Sequence, residues 1–295
     1  MGTDQEIGTS ALRAITYDKA IKQIAMDSYT MMQALSVISS SAWKNFFYRE
    51  NPDALAVNTG GAVKGIPRGS QFPQSSVQWD KISTTLEKYG VEEFIYWEDI
   101  RTNDISVRDR TLKRIAERVV KSVDTQIWTA LEGAKHSGSL PTSIQYFSIM
   151  GRGWDQASAT IIDDLMRAKQ KIGEKFYDTS NLTCFVSERD YRSIVKFVTD
   201  KGAQWNSVSA DTMTNGKQAQ IAGVTFVVSH AVTASNALVV VPKVVGNWRE
   251  NVSLSTTTIT DEYIGEKIRA VQLGVVELTD PYAACLIYGT QSETA

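Results

Sequence analysis

Histidine and cysteine are almost absent from this chain, with two of each in 295 residues. His136 falls in a Gly/Ser-rich stretch and His230 at a strand end, so neither supplies the other with a catalytic or metal-binding partner. HExxH and CxxC do not occur, which removes the usual support for zinc. Cys184 and Cys285 sit inside apolar runs, LTCFVS and YAACLIYG, and are expected as small buried hydrophobes rather than a disulfide. The phosphate loop GxxxxGK[ST] is missing, because TGGAVKG has the wrong spacing and no strand-to-helix frame. GxGxxG and the GxSxG serine elbow are missing too. DTMTNG begins like a calcium loop, but Met213 takes a ligand position and no glutamate follows at the right distance. No catalytic residue, no metal and no cofactor are expected.

Charge and hydrophobic length exclude further classes. A net charge of −2 and a pI near 5.8 lack the basic excess of a dedicated nucleic-acid binder. The apolar runs, such as ALVVV at 237–241, are far too short to span a bilayer. The opening MGTDQEIGTSALRAI is acidic where a signal peptide is basic, and Glu6 breaks the myristoylation pattern. The expectation is a soluble chain made in the cytosol, with no membrane partner.

What the sequence does contain is pattern. In VRDRTLKRIAERVVKSVDTQIWTAL, residues Leu112, Ile115, Ala116, Val119, Val120, Val123, Ile127 and Leu131 recur at steps of three and four. That spacing predicts one apolar face on a helix over 107–132, a rod about 39 Å long. Ser106 and Asp109 are placed as a capping box, and Gly133 as a left-handed stop. Arg110, Arg114, Arg118 and Lys121 make a basic stripe, with Asp109–Lys113 and Glu117–Lys121 as intrahelical pairs. Mixed signs of this kind make a solvated or subunit-facing surface.

Elsewhere, Ile21, Ile24, Ala25, Met32 and Leu35 predict an amphipathic helix over 17–36. A Gly/Pro/Ser-rich excursion follows, ending in a strand whose Ile82, Thr84 and Leu86 share one face. VEEFIYW at 91–97 is a second strand. After the long helix come a helix from Thr160 with Asp163 three residues on, the buried strand NLTCFVS, and a helix opened by SERD at 187–190. From 219 onward the chain reads mostly as strand. Helices and strands are segregated, which is an α+β arrangement.

Three segments carry a family resemblance: EFIYWEDIRTNDISVRDRTLKRIAERVVKSVDTQIWTALEG, IAGVTFVVSHAVTASNALVVVPK and TDEYIGEKIRAVQLGVVELTDPYAACLIYG. Together they resemble the major capsid proteins of tailed viruses, the Hong Kong ninety-seven or Johnson fold, which encapsulin shells also use. In that resemblance the first segment is a strand entering the spine helix, with Asp124 and Ile127 at the D-x-x-I position. The second is the strand pair of the axial domain, and the third the closing strands of the peripheral domain. The resemblance implies an N-terminal arm over 1–54 and an extended loop over 55–90. It implies a peripheral domain over 91–149 and 246–295, and an axial domain over 150–245.

It also implies a structural protein and no enzyme: a subunit that assembles through pentamers and hexamers into an icosahedral head around double-stranded DNA. The expected location is the virion, with assembly in the host cytoplasm. Expected partners are copies of itself, a separate scaffolding protein, a portal, decoration proteins and DNA held without sequence preference. Two other readings stand beside it, an encapsulin-type nanocompartment shell and, more remotely, a cytosolic α+β hydrolase. Contact between subunits is assigned to Lys64, Ile66, Arg68 and Phe72 of the loop and to Arg110, Arg114 and Arg118 of the helix. Lys64 is suitably placed for the covalent cross-link of the family's best-known member. No acceptor or assisting glutamate matches, so an ordinary salt bridge or a solvated lysine is its expected role.

Overall fold

The computed structural model describes residues 19, 21–23, 25, 29–50, 68–71, 79–102, 105–133, 144–149, 151–200, 220–261 and 263–292. Twelve strands and four helices of this region form two sheets, one two-stranded ribbon and the helices packed on them. The strands are β1 (Ser36–Ser39), β2 (Lys44–Glu50), β3 (Trp79–Thr85), β4 (Glu87–Tyr96), β5 (Gln145–Ser148) and β6 (Leu182–Val186). They continue with β7 (Gln220–Ile221), β8 (Val224–Val228), β9 (Asn236–Val240), β10 (Gly246–Asp261), β11 (Gly265–Leu278) and β12 (Ala284–Tyr288). The helices are α1 (Trp97–Arg101), α2 (Ile105–Gly133), α3 (Ile161–Gly173) and α4 (Glu188–Asp200).

The first sheet runs β1-β10-β11-β4. Its centre is the long antiparallel hairpin of β10 and β11, which registers Gly246 against Leu278 and closes at Asp261 and Gly265. On β11, Ile268, Ala270 and Gln272 are buried, the period-two pattern of a sheet with one covered face. α2 covers that face. Its Leu112, Ile115, Ala116, Val119, Val120, Val123, Ile127 and Leu131 are all buried, as the spacing predicted. Side chains of this kind contribute about 1.5–3 kcal/mol each when fully buried. The last turn of α2 reaches the second sheet: the Trp128 indole donates to the Thr233 hydroxyl at 2.8 Å, and Asn236 donates to Glu132 at 2.7 Å.

The second sheet runs β5-β12-β9-β6-β8-β7. Its central strands β9 and β12 are buried along nearly their whole length. α3 packs there through Ile161, Leu165, Ala168 and Ile172. The SERD cap is present at α4. Ser187 donates to the Asp190 carboxylate at 2.6 Å, and the Asp190 N–H returns to the Ser187 hydroxyl at 3.2 Å. Asp190 also accepts from Thr290 and Gln291, so the cap ties down the end of the chain.

Several expectations are corrected. Residues 145–148 and 284–288 were expected with the sheet of the long helix, but β5 and β12 pair with each other and β12 with β9, in the second sheet. Leu278 ends β11, and the turn at Pro281–Ala283 redirects the chain. α2 starts at Ile105, so Ser106 is inside its first turn and not at the position before it. Gly133 is the last residue of α2 and is not among the glycines with positive φ. Thr160 precedes α3 without a side-chain cap bond, and Asp164 rather than Asp163 is buried, accepting from the Trp154 indole at 3.0 Å.

The helix expected over 17–36 stops early. Residues 21–23 are helical, Met31–Ala34 is a 3-10 turn and β1 begins at Ser36, while Ile24 lies outside the described residues. Tertiary partners outcompete helix propensity here. Asp124 takes the Thr30 N–H at 2.9 Å, and β1 gains a parallel ladder with Asn247–Glu250 of β10. The strand expected through Leu86 divides at that residue, β3 joining the ribbon and β4 the first sheet.

Gly274 fixes one close approach inside the first sheet: a Cβ there would stand 2.3 Å from the ring of the fully buried Trp248. Gly274→Ala is expected to lose about 1–3 kcal/mol through this overpacking. Urea unfolding of the dissociated subunit, followed by tryptophan fluorescence, measures it. An unchanged midpoint would show that Trp248 can move.

Candidate functional site

Cys184 and Cys285 are free and buried, as expected, and burial pushes the Cys285 thiol up to about 12 and raises Cys184 as well. Neither is a thiolate nucleophile at neutral pH. Among the described residues no group of three His, Cys, Asp or Glu side chains is placed to hold a metal. Likewise, no described helix is long and apolar enough to cross a membrane. His136 lies outside the described residues.

Among the described residues, Ser, His and Asp come together at a cavity of about 630 Å³, where α2 meets the Thr30 turn and the end of β8. Thr30, Glu117, Lys121, Asp124, Ser229 and His230 line it. The Thr30 hydroxyl stands 2.8 Å from the Asp124 carboxylate and 2.7 Å from the Ser229 hydroxyl. His230 is exposed and makes no hydrogen bond to Ser229, which is buried. There is no base for a serine nucleophile, so the cluster is a fastening between α2 and the N-terminal segment.

Surfaces are richer than cavities. Lys64, Ile66 and Phe72 lie outside the described residues. Arg68 is exposed beside Gly69, which occupies the left-handed region at φ 82°. Arg110 and Arg114 are exposed on α2, but Arg118 is held by Glu93 of β4 in the same chain, which breaks the basic stripe. Glu117, expected to pair with Lys121, instead stands 3.8 Å from Lys113.

Beyond the residues named from sequence, the ribbon of β2 and β3 presents a surface. Its inner face is docked on the first sheet. Phe47 is buried, the Arg49 guanidinium donates to the Leu278 carbonyl at 2.9 Å, and Thr84 donates to Glu277 at 3.0 Å. Glu277 is fully buried and is compensated by Arg249 at 2.8 Å. The outer face is open: Phe46, Tyr48 and Trp79 are 53%, 56% and 55% exposed, with Lys44 and Lys81 over the Phe46 ring. The sequence hid this face because KNFFYRE places an aromatic on both sides of the strand, and period-two sorting then gives no clean side.

The described residues thus offer fastened carboxylates, buried thiols and open aromatic surfaces. The comparisons give the family. The profile of the family described as phage capsid protein matches residues 80–286, and the chain belongs to that family. No curated protein matches it. Among solved structures it is similar to the capsid of the cyanophage P-SCSP1u, at 15% identity and TM-score 0.65, over 87% of this chain and 86% of that one. It is also similar to the capsid of a native GTA particle, at 13% identity and TM-score 0.65, over 91% of each chain. A virus-like particle from Pyrococcus furiosus aligns at 9% identity and TM-score 0.62, over 93% of this chain and 99% of that one. These likenesses show the fold, which is the Hong Kong ninety-seven fold expected from the sequence.

The Asp124 fastening has a pH signature. Burial raises its carboxyl pKa above the ordinary range, against the hydrogen bonds from Thr30 and its neighbours that lower it. Among the described residues, Tyr29, Glu117, Lys121 and His230 are titratable groups around it. The folded chain therefore holds this proton to higher pH than the unfolded chain, and this group's contribution to stability falls as pH rises through that window. Asp124→Asn keeps an oxygen for Thr30 without the charge. The stability difference should move in favour of the variant as pH is raised from about 4, near the ordinary Asp value. Asp124→Ala, which removes the acceptor, should cost about 1–3 kcal/mol at either pH. Urea midpoints across pH test both, and a flat Asn-minus-wild-type difference would show the carboxylate is not desolvated.

Proposed function

We propose that this chain is the shell-forming subunit of a tailed-phage head, associating with copies of itself as pentamers and hexamers around double-stranded DNA. The observation that carries the proposal is the ribbon: one face fastened to its own sheet, the other aromatic and open. Exposed aromatics clustered with cations are the composition of binding hot spots, whereas scattered single residues are ordinary surface. In this reading residues 1–54 form the arm, and 55–90 the loop that lies on a neighbour. The peripheral unit is 91–149 and 246–295, with β5 and β12 moved to the axial unit 150–245 on the strength of their pairing. Lys64, Ile66, Arg68 and Phe72 would meet the neighbour, as would Arg110 and Arg114. Arg118 would join them while it pairs with Glu93 of its own chain.

The protein would reside in the virion after assembly in the host cytoplasm, with a separate scaffolding protein, a portal and decoration proteins as further partners. DNA would be held weakly and without sequence preference, because a net charge of −2 releases few counterions. The nanocompartment shell is the alternative reading, since the same fold could enclose protein instead of DNA. The phage family match outweighs it.

Purified chain, alone or with a scaffold, is expected to give closed hollow shells in electron micrographs. Native particles should hold DNA. Protein cargo in their place would decide for the nanocompartment, and a persistent monomer would defeat both readings. Replacing residues 60–76 by a short Gly-Ser turn should leave a folded subunit, since loop closure depends only slowly on length. β2 and β3 are already paired as far as Glu50 and Trp79. Shells from that variant should be unstable; normal shells would show that the loop is not the clasp.

A further inference from the structure

The C-terminal half of α3 and the turn after it are basic in a chain that is not. Residues 165–177, LMRAKQKIGEKFY, hold four cations and one acid, against a net charge of −2 for the whole sequence. Arg167 and Lys175 are exposed, and Lys169 and Lys171 are half-buried. None of the four makes an ion pair with a described residue. Cations elsewhere are used within the fold: Arg118, Arg249, Lys267 and Arg269 each meet a carboxylate. The acids near the ridge are engaged otherwise. Asp164 is buried and accepts from the Trp154 indole at 3.0 Å. Glu174 accepts from Gln170 at 2.8 Å, and Asp178 from the Ser180 hydroxyl at 2.9 Å. Asp163 lies in the first turn of α3, at the far end of the helix.

The cations are held in a row. Arg167, Lys171 and Lys175 are spaced by four residues, about 6 Å per step along a helix. The backbone keeps turning past Gly173, because Glu174 and Lys175 donate to the carbonyls of Gln170 and Ile172. Rings support the two ends of the row: the Arg167 guanidinium stands 4.7 Å from the centre of Phe147, and the Lys175 ammonium 5.1 Å from that of Tyr282. Lys169 is on the other flank, where a Cβ on Gly223 would lie 3.6 Å from its Nζ. The negative end of the helix dipole favours cations here, but it gives them no carboxylate partner.

We propose that this ridge is a phosphate-contact surface for double-stranded DNA. A protein partner fits it less well. Three of the four cations are lysines, which are depleted in protein interfaces. The exposed apolar side chains, Met166 and Phe176, stand singly at opposite ends of the row and form no patch. Nucleic-acid interfaces are by contrast polar and strongly basic, and a phosphate backbone offers continuous charge to a row of ammonium groups. The contact reads no bases. The inference rests on the capsid reading and gives its DNA a contact on a named surface, one that needs no basic excess in the chain as a whole.

Salt dependence tests it. A short fluorescent duplex is titrated with dissociated subunit and followed by anisotropy. Three or four phosphate contacts give a slope of log affinity against log salt of about −3. A tenfold rise in salt should therefore cost about a thousandfold in affinity, whatever the duplex sequence. Lys169→Gln, Lys171→Gln and Lys175→Gln should each remove about one unit of slope, and the matching Lys→Arg changes should keep it. The triple Gln variant should melt like wild type and still form shells; should it melt early, the single changes carry the same test. Arg110→Gln with Arg114→Gln on α2 should leave the slope unchanged. An unchanged slope in the lysine variants, or a slope lost with the α2 arginines instead, would overturn the contact and leave the capsid reading intact. A polyglutamate peptide that binds these lysines more tightly than the duplex would overturn it in favour of an acidic protein partner. A chain that binds duplex through these lysines yet never assembles would defeat the capsid reading alone.

Discussion

The structure depends on one constraint, the burial of the apolar stripe of α2. A helix of 29 residues, about 43 Å at 1.5 Å per residue, carries more apolar surface than one neighbour covers. It is covered from three directions: by β4 and β11, by the 3-10 turn at Met31–Ala34, and at its last turn by Thr233 and Asn236 beside the second sheet. The N-terminal segment is fastened where it crosses the helix by Asp124, and the second sheet by Glu132. The helix is therefore the beam that sets the angle between the sheets, and it carries no chemistry of its own.

Local periodicity was legible and long-range pairing was not. The eight apolar positions of α2, the face of α3 and the Ser187–Asp190 cap follow from spacing within one element. The placement of β12 does not. CLIY is apolar and VVEL is apolar but for Glu277, and nothing in either says that Leu278 ends one sheet and Ala284 enters another. Likewise, Met32 and Leu35 fit a helical face, yet the carboxylate of Asp124, 94 residues away, draws Thr30 out of the helix. Of the surface residues named from sequence, Arg118 has a partner that spacing within the helix could not show: Glu93 sits on a strand 25 residues earlier.

Adjacent residues on β4 show how the charges are used. Glu92 and Glu93 point to opposite faces of the sheet, and each has its own arginine, Arg269 across the strand and Arg118 on α2. Exposed pairs of this kind contribute about 0.2–1 kcal/mol, enough to favour a register but not to hold a fold. Glu277 is different, because it is fully buried with Arg249 and Thr84 as partners. Removing one member of such a pair strands a charge and costs about 3–5 kcal/mol. The strong electrostatic contact of the first sheet thus sits where the ribbon joins it.

That placement explains how an exposed ribbon can be ordered at all. Two strands alone are marginal in water, and the outer aromatics of β2 and β3 contribute nothing to stability while they face solvent. The ribbon must therefore draw its order from the inner face, from Phe47, Arg49 and the Thr84–Glu277 bond. Glu277 is bound at once to the ribbon and, through Arg249, to β10. A displacement of the ribbon would break the Thr84 bond to the buried Glu277 carboxylate as well as the Arg49 bond to the Leu278 carbonyl. Its direction is consequently set by the hairpin beneath it, and the aromatic face is presented in the free subunit already aimed. A surface aimed before contact loses less entropy on binding than one that must first be ordered.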